Sequence, residues 1–371
     1  MKSRALIART VTLLIALFGL TYLYMYISEP PGGEVAEVKD LRLLWTFYGT
    51  GQTADQLLNR PHNVAVGGDG NIYITDSGHQ RVLVLDTGRR LIAKLYPGAN
   101  SKPDLKSASP SFKRGYLGIA VAKNGNIYVA DKLRNKIYIL DKSGRNLGEI
   151  NVMSPIALTV ANDKLYATTY GHVVVYDLRG RKFKEFGRRG SRPGQFDFPG
   201  GIAVDKKGNI YVADSNNNRL VAMDPDGNVL WTVGKKSASM NDPYRTFGLP
   251  EGLTIDDNGI LYMVDAFTGT IDAFNPNGKK LAEIGEWGQK EGQFYYPAGI
   301  AFAGGRTFIV ADKFNDRLEA VELNVPGVPG ASLKERPFDA LLKNPALALA
   351  IIAIALVCGA AIVWQRLKAK E

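Results

Sequence analysis

An all-β fold is predicted for this chain by two observations: one pattern recurs six times between residues 41 and 324, and each copy holds four short apolar runs separated by turns. The composition agrees, with 40 Gly and 18 Pro among 371 residues and 45% hydrophobic residues, enough for a large core. Four-stranded repeats of this length match propeller blades, so the expected architecture is a six-bladed β-propeller.

The fourth copy shows the elements most clearly, reading FPGGIAVDKKGNIYVADSNNNRLVAMDPDGNVLWTVG. GIAV is the first strand. DKKGN turns it into IYVAD, a loop leads to RLVAM, and DPDGN leads to LWTVG. The Gly-containing turns supply the positive φ that tight hairpins need. Alternation within IYVA puts Ile and Val on one face, Tyr and Ala on the other. Copies one, two and six match this one well, copy five keeps the Asp, and copy three has Thr169 where the others have Asp. Copy five replaces the recurrent Arg by Thr270. The sixth copy stops one strand short, and Leu41–Tyr48 (LRLLWTFY) resembles the missing strand. The N-terminal strand is therefore expected to complete the last blade and close the ring.

The P-x-G-I-A-V-D…G-N-I-Y-V-A-D…N-x-R pattern over residues 41 to 324 resembles the NHL repeat family. That resemblance implies a six-bladed propeller. Some NHL propellers bind RNA on a basic face. This chain is also similar to the extracytoplasmic sensor propellers of bacterial receptors, although it carries no kinase or other signalling domain.

Both ends read as membrane segments. Residues 11–27 form an uncharged run that follows Lys2, Arg4 and Arg9 and ends in Tyr22, Tyr24 and Tyr26. An uncleaved anchor fits better than a signal peptide, because no small-x-small site follows. Residues 345–364 include the uncharged stretch from Ala346 to Trp364, with Arg366, Lys368 and Lys370 after it. Basic tails at 1–10 and 365–371 predict both termini in the cytoplasm and a two-pass plasma-membrane protein. The propeller, between linkers 28–40 and 325–344, would then be extracytoplasmic, in the cell envelope. The one cysteine, Cys358, excludes an intramolecular disulfide and a cysteine zinc site.

Strand order sorts the loops. With strands a to d counted outward, the a–b and c–d hairpins share one face and the b–c and d–a loops share the other. The hairpin face receives short turns; the loop face receives long segments, where binding usually resides. Those segments carry Lys102, Lys106, Lys113, Arg114, Arg188, Arg189 and Arg192. They continue with Lys235, Lys236, Tyr244 and Arg245. The b–c loops add Lys132, Arg134 and Lys313, with aromatic Tyr170, Phe267 and Phe314; Trp287 lies in a d–a loop. Both membrane linkers should leave from the hairpin face, which turns the basic, aromatic loop face away from the bilayer. The chain carries a formal charge of +10, and such a face suits an acidic protein or an anionic envelope polymer.

Chemistry is sparse. Asp76, Asp131, Asp214, Asp265 and Asp312 end equivalent strands in separate blades, so each is expected to accept backbone N–H groups in its own b–c turn rather than bind metal. Arg81, Lys136, Arg219 and Arg317 recur five residues later, another structural signature. The second residue before each strand-a apolar run should ring the channel mouth, and His62 and Glu251 are the polar exceptions. A hydrolase or lyase using that pair is one alternative function; RNA binding is another, which an extracytoplasmic address opposes. No cofactor or metal and no catalysis are expected. The leading reading is a non-catalytic binding or scaffold protein, open to membership of a membrane complex.

Overall fold

The computed structural model describes residues 36–98, 115–235 and 246–329. Among them, 24 strands form six separate four-stranded sheets. Five sheets use consecutive strands. In the sixth, Leu41–Phe47 is the outer strand and pairs with Arg317–Leu323, from Leu41 opposite Leu323 to Phe47 opposite Leu318. The ring is therefore closed by the N-terminal strand, as the truncated last repeat requires. Closure gives the last blade its fourth strand and packs its face on the first blade, with Ile309, Leu318 and Ala320 against Val64, Ile72 and Leu83.

The innermost strands (Pro61–Val66, Tyr116–Val121, Leu158–Ala161, Pro199–Val204, Pro250–Ile255 and Pro297–Phe302) surround a narrow axial channel. Glycine permits their close approach. A Cβ on Gly201 would lie 2.2 Å from the Glu251 carbonyl oxygen, and one on Gly299 2.7 Å from the Cα of Asn63.

The core lies between blades. Tyr73, Val82 and Val84 of blade one, for example, pack on Ile127, Val129 and Tyr138 of blade two. Each strand presents one side chain set to the preceding blade and the alternate set to the next, which is why both faces of IYVAD are apolar.

The hairpin face is built by short carboxylate turns. Asp205 Oδ1 accepts N–H groups of Lys207 and Asn209, and Asp224 Oδ1 those of Asp226 and Asn228. Gly208 and Gly227, at φ of +88° and +89°, complete these turns.

The chain enters and leaves the propeller side by side. Asn324 N–H donates to the Asp40 carbonyl, and Asn324 Nδ2 to Asp40 Oδ1 at 2.8 Å. These two residues sit at the hairpin-face ends of the paired outer strands, while Ala36, upstream, donates its N–H to the Glu291 carbonyl of the d–a loop before the last blade. Among the described residues no helix is long and apolar enough to cross a membrane. The apolar runs at 11–27 and 345–364 lie outside the described residues.

Candidate functional site

The five recurrent aspartates are structural, but their reach differs from the sequence expectation. Asp131 accepts the N–H of Arg134 in its own b–c turn, and Asp265 accepts that of Phe267 in its own turn together with those of Gly248 and Leu249 in the preceding d–a loop. Asp76, Asp214 and Asp312 instead accept N–H groups of Asn59, Asp197 and Tyr295, which belong to the preceding d–a loop. The correction follows from topology: strand b ends beside the point where that loop enters strand a.

The arginines five residues later complete the clamp. Arg219 Nε donates to Asp214 Oδ2 at 2.9 Å, and its guanidinium also reaches the carbonyls of Ser191, Arg192 and Gln195. Arg81 and Arg317 hold their own d–a loops in the same way. In blade three, Thr169 N–H bonds the His172 carbonyl directly, giving a shorter turn without the carboxylate.

These clamps hold the long loops around the mouth of the channel. The innermost strands are irregular there, with register shifts between Pro61 and Val64 and between Pro250 and Leu253. Such irregularities re-aim side chains. They place His62 and Glu251 at the mouth, 9% and 8% exposed. The ring N–H of His62 bonds the Leu117 carbonyl, while Nδ1 has no hydrogen-bond partner. Glu251 Oε2 is likewise without one. Gly200 makes room for it, because a Cβ there would stand 2.3 Å from that oxygen. The two groups come from non-adjacent blades and are not bonded to each other through these atoms.

Two lysines link them electrically. Lys132 and Lys313 directly follow Asp131 and Asp312, where other blades have Ser77, Ser215 or Ala266. Burial lowers both lysines from the ordinary range, while the Glu251 carboxylate raises them. Burial pushes the Glu251 carboxyl up to about 7, opposed by Lys313 and Lys132. Burial, then the charges of Lys313 and Lys132, hold His62 well below the usual histidine range, so it is neutral.

An aromatic wall surrounds these groups. Lys132 Nζ lies 4.3 Å from the Phe198 ring centroid, and Lys313 Nζ lies 5.5 Å from both Tyr296 and Phe314. Rings at T-shaped or tilted contact run from Trp287 through Tyr295, Phe314 and Tyr296 to Phe267. On the other side Tyr170 packs edge-on to Phe198, with the Arg189 guanidinium 4.6 Å from the Tyr170 centroid. Such cation–ring contacts are favourable once partly desolvated.

Most residues singled out from the sequence on the described loop face occupy this wall or its rim. Lys132, Lys313, Tyr170, Phe267 and Phe314 are drawn together, and Trp287 marks the outer end. Arg134 binds Asp131 instead. Arg188, Arg192 and Lys235 are exposed on loops farther from the axis. Lys102, Lys106, Lys113, Arg114, Lys236, Tyr244 and Arg245 lie outside the described residues.

Sequence reasoning missed Arg60, Phe198 and Tyr296. Each precedes a strand-a proline and has a positive φ, at 51°, 54° and 62°. The available signal was positional: the residue before the strand-a Pro in copies one, four and six. Also missed were three hydroxyls that join neighbouring blades at the mouth. Thr75 donates to the Leu117 carbonyl, Thr168 to that of Pro199 and Ser215 to that of Pro250, at 3.1, 2.8 and 2.6 Å.

Among the described residues no group of three or more His, Cys, Asp or Glu is placed to hold a metal ion. The arrangement offers two cations, one buried carboxyl and several rings, a set suited to an anion carried on an apolar or planar body.

Fold and site together define a six-bladed β-propeller with a basic, aromatic mouth on its loop face. The propeller carries NHL repeats: the NHL repeat pattern matches residues 58–85 and 196–223, in blades one and four. NHL repeat-containing protein 3 of Homo sapiens is 27% identical over 224 residues, covering 53% of this chain and 62% of that protein. The Mus musculus protein is 27% identical over 186 residues, 44% of this chain and 51% of that protein. The chain thus spans about half to three-fifths of these relatives. Among solved structures, a streptogramin B lyase superposes with a TM-score of 0.53 at 16% identity, covering 76% of this chain and 98% of that one. A gluconolactonase from Xanthomonas campestris gives 0.52 at 17%, covering 80% and 96%. At such identity these structures share the fold alone.

Proposed function

We propose that this propeller is a non-catalytic binding protein of the cell envelope whose loop-face mouth takes an acidic ligand or an acidic segment of a partner. The observation that carries the reading is the convergence of Lys132 and Lys313 on one desolvated mouth, each stacked on aromatic rings. A cation in such a place costs desolvation, and an anionic ligand offsets that cost. Arg60, 5.9 Å from the Phe314 centroid, and Arg189 extend the positive charge outward.

A capped hexaglutamate peptide is expected to bind wild-type protein with an affinity that falls as salt rises. Replacing both Lys132 and Lys313 by Met should weaken it by about a hundredfold, whereas Lys235→Met should change it little. Fluorescence anisotropy measures this. Equal binding by wild type and the double variant would move the site elsewhere.

The envelope address rests on the basic tails and apolar runs of the sequence, with the propeller extracytoplasmic and the runs spanning the membrane. The adjacent entry and exit at Asp40 and Asn324, at the hairpin-face ends of the outer strands, supports an outward-facing mouth. With Cys358 replaced by Ser, a Lys235→Cys variant is expected to react with an impermeant maleimide in intact cells. Labelling only after lysis would place the propeller in the cytoplasm and reopen RNA as a ligand.

A further inference from the structure

The mouth contains a contradiction that a ligand would resolve. Glu251 is buried, yet Oε2 has no hydrogen-bond donor, although two lysines act on it electrostatically. A permanent structural ion pair would bring a donor onto that oxygen, as Arg219 does for Asp214. The flanking innermost strands present Gly200 and Ala298 beside it, and neither carries a charge. The other groups acting on Glu251 and its lysines are the Asp265 carboxylate, the Tyr296 phenol and the Arg60 guanidinium.

We propose that the mouth is a proton-linked carboxylate site, in which Lys132 and Lys313 take the ligand's carboxylate and Glu251, protonated as the ligand arrives, donates a hydrogen bond to it from its carboxyl group. This deepens the binding function proposed above and rests on it.

The physical reason is charge economy. An ionised Glu251 beside a second carboxylate would put two like charges in a poorly solvated mouth, where they cannot both stay ionised. One proton bound to Glu251 removes the repulsion and turns an acceptor into the missing donor. The lysines, released from their internal counter-ion, then serve the ligand. The ligand's body meets Phe198, Tyr296 and Phe314. The proton comes from solvent and no bond other than O–H is made. His62 is held neutral throughout, so it takes up no proton in this process.

Titration calorimetry with glutarate and with capped hexaglutamate tests this, each at pH 6 and pH 8 in two buffers of unlike ionisation enthalpy. Both probes are fully or largely ionised over that range. Because free Glu251 titrates at about 7, nearly one proton should be taken up per ligand at pH 8 and little at pH 6, with about tenfold tighter binding at pH 6. Glu251→Gln should abolish the uptake and flatten the pH profile while binding more tightly than wild type at pH 8. Glutarate binding with this signature identifies a small acid as sufficient; the signature with hexaglutamate alone identifies an acidic chain. Binding without proton uptake in wild type at pH 8 would overturn the proton linkage and leave the binding function standing. Absence of binding by either probe at both pH values would overturn both.

Discussion

Arg317→Met is expected to destabilise the propeller by about 3–5 kcal/mol, the scale for stripping a buried charge of its partner. Arg317 is 2% exposed. Its Nε lies 2.9 Å from Asp312 Oδ2 and 3.1 Å from Glu319 Oε1. The guanidinium also donates to the carbonyls of Gln289, Lys290 and Gln293, at 3.1, 2.7 and 2.7 Å. Methionine fills part of the volume but strands two carboxyls and three carbonyls. The damage falls on the closing blade, where Tyr48 of the N-terminal segment meets both Arg317 and Glu291. Urea denaturation should show the lower midpoint, and hydrogen exchange should show Leu41–Phe47 losing protection first. Arg145→Met breaks the exposed pair with Asp141 and should leave the midpoint in place. An unchanged midpoint for Arg317→Met would mean that the clamp is ornamental.

The second large effect is a loss of stability on raising the pH. Burial lifts Asp272 from 3.8 to about 7 and Glu251 from 4.5 to about 7. Burial raises Glu319 and Asp312 as well, against the Arg317 guanidinium, which lowers both. Each group keeps its proton in the folded state at a pH where the unfolded chain has released it. The folded state therefore binds more protons between about pH 5 and 8, and stability falls as pH rises through that window. At about 1.4 kcal/mol per pH unit of displacement, a few kcal/mol is the order expected for a single such group. The opposite sign applies to the hairpin carboxylates. Hydrogen bonds from Ser143 and Arg145 hold Asp141 down at about 2, and Asp86, Asp177 and Asp224 are also lowered. Their contribution is present above the unfolded range and is lost in acid. Stability should peak near pH 5, and Glu319→Gln should flatten the decline above pH 7. A urea midpoint that climbs steadily from pH 5 to 9 would contradict the assignment.

Much of this architecture was legible in the chain itself. Six repeats, four strands per repeat and the borrowed outer strand all follow from local signals, such as the short GN and DG turns and the truncation after Leu323. A propeller blade meets only its neighbours, so a strand's fate depends on its own repeat and little else. The sorting of loops to one face followed from strand direction alone, and it brought Lys132, Lys313, Tyr170, Phe267 and Phe314 into consideration. It did not show which of them converge. That depends on the left-handed backbone at Phe198 and Tyr296, on the irregular starts of the strands bearing His62 and Glu251, and on the room left by Gly200.

The sequence by itself thus determined the number of blades, the closure and the sign of the loop face, because each is set by residues near one another in the chain. Only the tertiary structure decided the mouth. Its groups come from all six blades, and the burial that makes Glu251 a weak acid and His62 neutral exists only once the ring has closed around them.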